Sequence, residues 1–227
     1  MQKTKISQNL KEIKATFLNP DCLLVAVSKT KPNAAIQQAY DAGIRDFGEN
    51  KVQEINEKAS HLPKDIKWHM IGHLQRNKVK FIVPFIYLIH SVDSLRLLKQ
   101  INKEAEKVDK KISCLLQVHI AKEETKFGWD KAEINSFLLG EEINSMNNIQ
   151  IVGLMGMATN TSNEEIVREE FKTLKNLSDT LKKLPLPKNV EMKEISMGMS
   201  GDYLLGQQEG STMVRIGSAI FGSRDYN

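Results

Sequence analysis

The sequence predicts a single α/β domain, spanning residues 1–227, built as a (β/α)8 barrel of the TIM type with an extra N-terminal helix. Apolar runs of strand length alternate with longer amphipathic segments along the whole chain, a pattern typical of repeated βα units around a parallel sheet. No Gly/Ser-rich linker and no break in composition divides the chain, which argues against the alternative of two half-size flavodoxin-like domains. A length of 227 residues with 41% hydrophobic content suits one sizeable core.

Eight apolar runs are expected to form the strands, at residues 23–28, 45–47, 67–71, 86–90, 112–120, 149–155, 193–196 and 213–216. Segments with helical periodicity follow the first seven strands, at residues 33–42, 50–60, 75–81, 94–107, 131–146, 164–183 and 203–208. One more helix is expected before the first strand, at residues 6–17.

Start signals support three of these helices. Pro32 suits a first helical turn, and Asp93 stands at an N-cap position. Asp130, followed three residues later by Glu133, resembles a capping box.

Composition excludes several classes of function. The net charge is only +4, and the lysines are spread over predicted helix faces, so nucleic-acid binding is not indicated, although a local site for a small anion is compatible. The longest apolar stretch, residues 81–89, contains Pro84 and is too short to span a bilayer, and the N-terminus has no signal-peptide core. We therefore expect a soluble, cytoplasmic protein whose two cysteines, Cys22 and Cys114, are buried reduced thiols.

Lys29 directly follows the first predicted strand, so its amine is expected at the mouth of the barrel, where functional residues of such barrels lie. A solvated loop lysine is the simpler interpretation of this position alone. A lysine there can also form an imine with an aldehyde when its amine is partly neutral, and Lys31 would favour the neutral form by like-charge repulsion.

Two loops near the other end of the chain predict a phosphate site. Residues 196–202 form a small-residue turn after the seventh strand, and Gly217 and Ser218 follow the eighth. Phosphate sites in barrels form between these two loops, where backbone N–H groups and a helix N-terminus converge. Ser200 offers a hydroxyl, while Gly201, Gly217 and Ser218 allow close approach of the backbone; ordinary tight turns are the alternative for either loop alone.

The predicted lysine and phosphate loops face each other across the barrel mouth. Pyridoxal 5'-phosphate (PLP) has an aldehyde at one end of its ring and a phosphate at the other, so it fits this arrangement. Arg215, at the end of the eighth strand, is then the candidate donor to the pyridine nitrogen.

Six motifs resemble those of the pyridoxal-phosphate homeostasis proteins in order and spacing. They are AVSKTKP at 26–32, FGENKVQE at 47–54, WHMIGHLQ at 68–75, HSVDS at 90–94, SMGMSGD at 196–202 and RIGSAIFG at 215–222. The resemblance covers nearly the whole chain. It implies a barrel similar to the N-terminal barrel of alanine racemase, which is the fold-type III arrangement of PLP proteins.

Carried over by position, the resemblance implies a set of cofactor-binding residues. Lys29 would carry the pyridoxyl group and Arg215 would contact the ring nitrogen, while the remaining residues would bind the phosphate or adjoin the ring: Ser200, Gly201, Gly217, Ser218 and Asn50. Lys126, in a Lys-Phe-Gly motif after the fifth strand, would be a secondary PLP site. The family usually has a tyrosine at position 51 and often a threonine at 218, whereas this chain has Lys51 and Ser218; a backbone N–H can serve the phosphate at 218.

The implied function is PLP homeostasis, in which a monomeric carrier holds PLP reversibly and supplies it to apo-enzymes without catalytic turnover. A PLP-dependent racemase is the alternative, but racemisation needs bases on both faces of the substrate, and in alanine racemase the second is a tyrosine from an additional C-terminal domain. We expect no such domain, because the chain ends at Asn227, ten residues after Gly217. Among the tyrosines, only Tyr203 is expected near a mouth loop.

Further observations weigh against enzymes and metal sites. The charge of Arg215 disfavours protonation of the ring nitrogen and so weakens carbanion chemistry. An aldolase-like barrel would carry its lysine on a later strand with a carboxylate nearby, by analogy of fold. His69 and His73 are four residues apart, but on a strand and the loop after it, so no metal is expected. The Met-Gly-Met repeats at 155–157 and 197–199 are interpreted as strand ends packed in the barrel.

Overall fold

A computed structural model, which describes residues 4–121 and 128–222, has eight parallel strands in a closed barrel in sequence order. The strands are β1 (Leu23–Val27), β2 (Asp46–Glu49), β3 (Lys67–Met70), β4 (Leu88–Val92), β5 (Ile112–Gln117), β6 (Ile149–Met155), β7 (Val190–Met199) and β8 (Met213–Ile216). β1 pairs with both β2 and β8, which closes the barrel. The predicted (β/α)8 fold is confirmed.

Helices surround the barrel in the alternating order that the sequence predicts. They are α1 (Lys5–Ala15), α2 (Asn33–Asp41), α3 (Val52–His61), α4 (Leu95–Glu106), α5 (Lys131–Leu138), α6 (Glu164–Leu181), α7 (Tyr203–Gln208) and α8 (Ser218–Phe221). The predicted extra helix is α1, which packs against α2 and α8 and so joins the start of the chain to its last helix.

Several predicted boundaries are wrong. The segment after β3 is a 3-10 helix, Arg76–Phe81, and the helix predicted over 131–146 is divided into α5 and a second 3-10 helix, Glu142–Ser145. Gly140 lies at this break, where its conformational freedom disfavours a continuous helix. The strands predicted at 45–47 and 86–90 begin later because pairing starts at Asp46 and at Leu88.

β7 is much longer than the four residues predicted. Its first half alternates between buried Val190 and Met192 and exposed Glu191 and Lys193, a pattern that a search for continuous apolar runs misses. The strand also runs on to Met199, so the turn predicted over 196–202 is reduced to its last three residues.

Of two predicted N-caps, the one at Asp130 is correct and the one at Asp93 is wrong. The side chain of Asp130 accepts from the Glu133 N–H at 2.8 Å and the Glu133 carboxylate accepts from the Asp130 N–H at 3.0 Å, so the capping box is confirmed. The N-cap of α4 is Ser94 and not Asp93, whose carboxylate lies 3.0 Å from Nδ1 of His73.

Apolar side chains fill two regions. The main core lies between the strands and the surrounding helices, and a smaller cluster of Leu88, Leu115, Met155 and Met213 lies elsewhere in the barrel core. Both cysteines are buried free thiols as predicted, and burial raises the pKa of Cys22 to about 11. Within the described ranges, no helix has the length and apolar character that a membrane span requires.

Candidate functional site

A cavity of about 480 Å³ opens at the carboxyl ends of the barrel strands. It lies where functional residues of such barrels are found. Its lining includes all seven residues that the sequence nominates for the main site: Lys29, Asn50, Ser200, Gly201, Arg215, Gly217 and Ser218. The fold therefore brings together residues from both ends of the chain, while Lys126 lies outside the described residues.

Lys29 lies in the turn that follows β1 and is half-buried beside the cavity. The turn is closed by the Lys31 N–H, which donates to the Ser28 carbonyl at 3.0 Å. Thr30, the next residue after Lys29, has a φ of 65°, a left-handed conformation that is costly for a β-branched residue and must be held by its surroundings.

A buried ionic cluster holds both neighbours of Lys29. Nζ of Lys58 donates to the Ser28 carbonyl at 2.9 Å, to Oε1 of Glu49 at 2.8 Å and to Oε2 of Glu54 at 3.0 Å. The Ser28 hydroxyl donates to Oε1 of Glu49 at 2.6 Å, and the Thr30 N–H donates to Oε2 of Glu54 at 2.7 Å. This cluster fixes the turn on both sides of Lys29.

The electrostatics of the two carboxylates differ. Burial raises the pKa of Glu49, and Lys58 and Ser28 oppose this effect only in part. Burial also acts to raise the pKa of Glu54, but the hydrogen bonds from Thr30 and Lys58 lower it overall. Sequence reasoning assigned no role to these residues, although the spacing of Glu54 and Lys58 at i and i+4 was a usable signal.

The loops after β7 and β8 meet at the other side of the cavity lining. The Gly217 N–H donates to Oγ of Ser200 at 3.1 Å, which ties one loop to the other. A Cβ built on Gly201 would meet no atom within 4 Å, so the space beside this backbone is open. A Cβ on Gly217 would lie 3.0 Å from the Val27 carbonyl, so the absence of a side chain also lets this loop pack closely against β1.

Arg215 lines the cavity from β8, although its side chain is buried. Nη1 donates to Oγ of Ser196 at 2.6 Å, and Nη2 donates to the Gly156 carbonyl at 3.0 Å. Burial lowers the pKa of Arg215 to about 10, and the charge of Asp202 opposes this effect. The guanidinium therefore stays charged at neutral pH and presents a fixed cation at the cavity.

Two methionines of the Met-Gly-Met repeats do not pack in the barrel as the sequence predicts. Met155 and Met197 are fully buried, as the sequence predicts, but Met157 and Met199 are 42% and 39% exposed and line the cavity. Asn160 and Lys31 also line it, without having been nominated as ligands.

The described tyrosines are not among the residues that line the cavity. Tyr203 begins α7 directly after the loop of Ser200 and Gly201, near the mouth as the sequence predicts, but its side chain faces away from the cavity. The Tyr203 hydroxyl lies 2.8 Å from Oγ1 of Thr16, and its ring is 6.1 Å from that of Phe17, so the side chain faces α1. Tyr40 donates to Asp65 at 2.7 Å, and Tyr87 contacts the ring of His69.

The histidine pair is divided between two environments. His69 is fully buried in the barrel, whereas His73 is exposed on the loop after β3. Nε2 of His69 lies 3.0 Å from Oδ1 of Asp46, and its Nδ1 lies 2.9 Å from Nε2 of His90. Within the part of the chain that the structure describes, no group of three or more potential metal ligands is found.

Comparison with known proteins gives consistent matches over the chain. The family described as the alanine racemase N-terminal domain matches residues 2–225. The pyridoxal phosphate homeostasis protein of Vibrio alginolyticus is 41% identical over 209 residues, which cover 90% of this chain and 87% of that protein. The human pyridoxal phosphate homeostasis protein is 39% identical over 216 residues, which cover 90% of this chain and 77% of the human protein.

Solved structures agree with these sequence matches. PipY of Synechococcus elongatus, solved without PLP, superposes with a TM-score of 0.89 at 35% identity and covers 96% of this chain and 100% of its own. The form of PipY with PLP bound gives a TM-score of 0.86. Alanine racemase of Bartonella henselae, at 19% identity and a TM-score of 0.72, shares the fold over 58% of its length. The chain therefore belongs to the family of pyridoxal phosphate homeostasis proteins, within the wider family defined by the N-terminal domain of alanine racemase.

Proposed function

We propose that this protein binds PLP in the mouth cavity, holds it as a Schiff base on Lys29, and serves PLP homeostasis in the cytoplasm as a monomeric carrier that releases PLP to acceptors. One observation carries the proposal: Lys29 and the loops after β7 and β8 line the same cavity of about 480 Å³. The family supports the choice of ligand, because the relatives are named for PLP homeostasis and PipY has been solved with PLP bound.

The residues present fit the chemical groups of PLP. The open space beside Gly201, the Ser200 hydroxyl and the Ser218 N–H suit a phosphate, whereas the Ile220 and Phe221 N–H groups of α8 donate to the Gly217 carbonyl. Arg215 offers a fixed donor for the ring nitrogen, and Asn50 lies in the same lining. When bound, PLP would supply a reactive aldehyde and an electron-withdrawing ring.

Capture on Lys29 is a balanced and reversible reaction. The neutral amine of Lys29 attacks the aldehyde carbon, a carbon–nitrogen double bond forms, and the aldehyde oxygen leaves as water. Hydrolysis consumes water and returns the aldehyde and the Lys29 amine. Exchange with the amine of another molecule instead forms a new imine on that amine and releases the Lys29 amine. Reversible capture limits the free concentration of a reactive aldehyde without destroying it.

The composition of the cavity lining favours a carrier over a racemase. Among the described lining residues, the ionisable side chains are Lys29, Lys31 and Arg215, and no carboxylate, imidazole or phenol faces the cavity. Racemisation requires a proton acceptor and a proton donor on opposite faces of the substrate. If Lys29 holds the cofactor, Lys31 is the remaining amine in this lining.

The first experiment locates the covalent site. Purified protein loaded with PLP should show the absorption band of a Schiff base, and borohydride reduction followed by peptide mass mapping should place the pyridoxyl group on Lys29. Lys29→Ala should lose the band, and the matched control Lys31→Ala, from the same cavity lining, should keep it. An adduct found only on another lysine, Lys126 included, would refute the assignment to Lys29.

The second experiment separates carrier from enzyme. Loaded protein is mixed with an apo-form PLP enzyme, whose recovered activity reports transfer, and the protein alone is assayed for turnover of D- and L-alanine. We expect transfer and negligible turnover. Lys126→Ala, assayed in parallel, should slow transfer if Lys126 is a transient second site. The opposite result, with robust turnover and no transfer over hours, would establish the racemase alternative.

A further inference from the structure

A line of polar side chains crosses the interior of the barrel and ends at the cavity. It links Asp46 on β2, His69 on β3, His90 on β4, Ser196 on β7 and Arg215 on β8, all of them buried. From one end to the other, the successive donor and acceptor atoms lie 3.0, 2.9, 2.9 and 2.6 Å apart. Barrel interiors are ordinarily filled by branched apolar residues, so this polar line is a departure that needs a reason.

For two neutral imidazoles, the chemistry of the two ends of this line fixes the direction of every bond. A guanidinium can only donate and a carboxylate can only accept, whereas a neutral imidazole has one N–H and one acceptor nitrogen. With both rings neutral, Nε2–H of His69 must donate to Asp46, which leaves Nδ1 to accept from Nε2–H of His90. Nδ1 of His90 then accepts the proton of the Ser196 hydroxyl, and the Ser196 lone pairs face Arg215.

No other arrangement of neutral rings satisfies all these contacts. If the Ser196 hydroxyl accepted from His90, His69 would present an acceptor nitrogen to the Asp46 carboxylate, and two acceptors would oppose each other at 3.0 Å. Burial is the main cause that holds the pKa of His90 well below its usual range, and the nearby charge of Arg215 acts in the same direction, in agreement with a neutral His90 ring.

Neutral acceptors hold the guanidinium at its inner edge. Oγ of Ser196 and the Gly156 carbonyl each accept one N–H of Arg215, and among the described residues Asp202 acts on it by charge without forming a salt bridge. The guanidinium is thus fixed in position while its positive charge is left without a direct counter-ion. Its remaining N–H groups are available to the cavity that it lines.

We propose that His69 and His90, acting through Ser196, are positioning residues that hold Arg215 as a hydrogen-bond donor toward the ring nitrogen of the bound cofactor. This inference rests on the proposed function. It assigns the polar line to recognition of the pyridine ring, a part of the ligand that the phosphate loops and Lys29 do not contact in the proposal. A merely structural role would affect folding without changing preference for the ring nitrogen.

The test compares two aldehyde phosphates that differ at one atom. Equilibrium titration of the apoprotein gives the dissociation constants for PLP and for its carbocyclic analogue, in which a C–H group replaces the ring nitrogen. The parent protein should prefer PLP by about tenfold to a hundredfold, the range of a hydrogen bond to a charged group. Ser196→Ala removes one of the two inner acceptors of the guanidinium, and His90→Leu removes the acceptor that orients the Ser196 hydroxyl. Both variants should lower this preference to about threefold or less.

Two further variants separate positioning from damage to the fold. His90→Gln can accept from Ser196 and donate to His69, so it should keep the parent preference. Leu115→Ala removes an apolar side chain from another part of the barrel core and should lower stability without changing the preference. Full preference in Ser196→Ala and His90→Leu, or equal loss in His90→Gln and His90→Leu, would overturn the inference. Failure of the parent protein to form an adduct on Lys29 would instead refute the proposed function, on which the inference depends.

Discussion

The ionic cluster beneath Lys29 allows a quantitative prediction about stability. Replacing Lys58 by methionine removes three hydrogen bonds, to Ser28, Glu49 and Glu54, and leaves Glu49 buried without its cation. Breaking a buried ion pair by removing one partner costs about 3–5 kcal/mol. We expect Lys58→Met to lower the free energy of unfolding by this amount at pH 7.

Urea unfolding is a suitable assay, because Trp68 and Trp129 are both buried and report unfolding through their fluorescence. With an m-value of about 2–3 kcal/mol/M, the expected loss moves the midpoint down by about 1–2.5 M. Lys103→Met, at an exposed position on α4, is the matched control and should change stability by no more than about 0.5 kcal/mol.

The double variant Glu49→Gln with Lys58→Met shows whether the loss of stability comes from an uncompensated charge on Glu49. Removing both charges avoids an uncompensated buried carboxylate, so the double variant should be more stable than Lys58→Met alone. The raised pKa of Glu49 points the same way, since burial disfavours the charge that Glu49→Gln removes. A midpoint change in Lys58→Met as small as that of the control, or a double variant as unstable as the sum of the single variants, would refute the account of this cluster.

Three more predictions follow from the site and the core. Ser200→Ala should weaken PLP binding about tenfold to a hundredfold but leave pyridoxal binding unchanged, because it removes one donor to the phosphate; equal effects on both ligands in a titration would contradict the phosphate assignment. Cys22 and Cys114 are buried and burial raises the pKa of both thiols, so a disulfide reagent should modify them only as the protein opens, and rapid labelling of the native protein would contradict this. His90 is neutral in the folded protein and gains a proton on unfolding below its ordinary pKa of 6.5, so the free energy of unfolding should fall as pH decreases below 6.5. Unfolding measured at several pH values should show a less steep fall in His90→Gln. Parallel curves for the two proteins would contradict the lowered pKa of His90.

The sequence was sufficient for the fold because each strand of a parallel barrel is buried on both faces and therefore appears as a continuous apolar run. The same rule explains the failures. β7 begins with a half-buried alternation, and the 3-10 helix Arg76–Phe81 is too short to show a clear period. Lys29 and the loops around Ser200 and Gly217 could be predicted because functional residues of a barrel follow its strands.

The supports of the site were beyond reach of the sequence alone. Asp46, His69 and His90 all lie within strands, and nothing in their local pattern states that Ser196 and Arg215, more than 100 residues later, face the same interior. The contacts of Lys58 with Ser28 and Glu49 likewise depend on how α3 lies over two strand ends. Such partnerships are set by the closure of the barrel and not by spacing along the chain.

Because β1 pairs with β8, the cavity forms only when the barrel closes. Leu23 to Ala26 pair with Met213 to Ile216, so the walls that carry Lys29 and Gly217 come from opposite ends of the chain and meet only at the last seam. A ligand in this cavity binds only the closed barrel, because the binding site does not exist in a partly folded chain. Bound ligand would therefore stabilise the contact between β1 and β8. It would raise the free energy of unfolding by about 2.7 kcal/mol at a free ligand concentration one hundred times the dissociation constant. Under the proposed function, release of PLP would therefore make the protein easier to unfold. Resistance to proteolysis would then report the fraction of the protein that holds PLP.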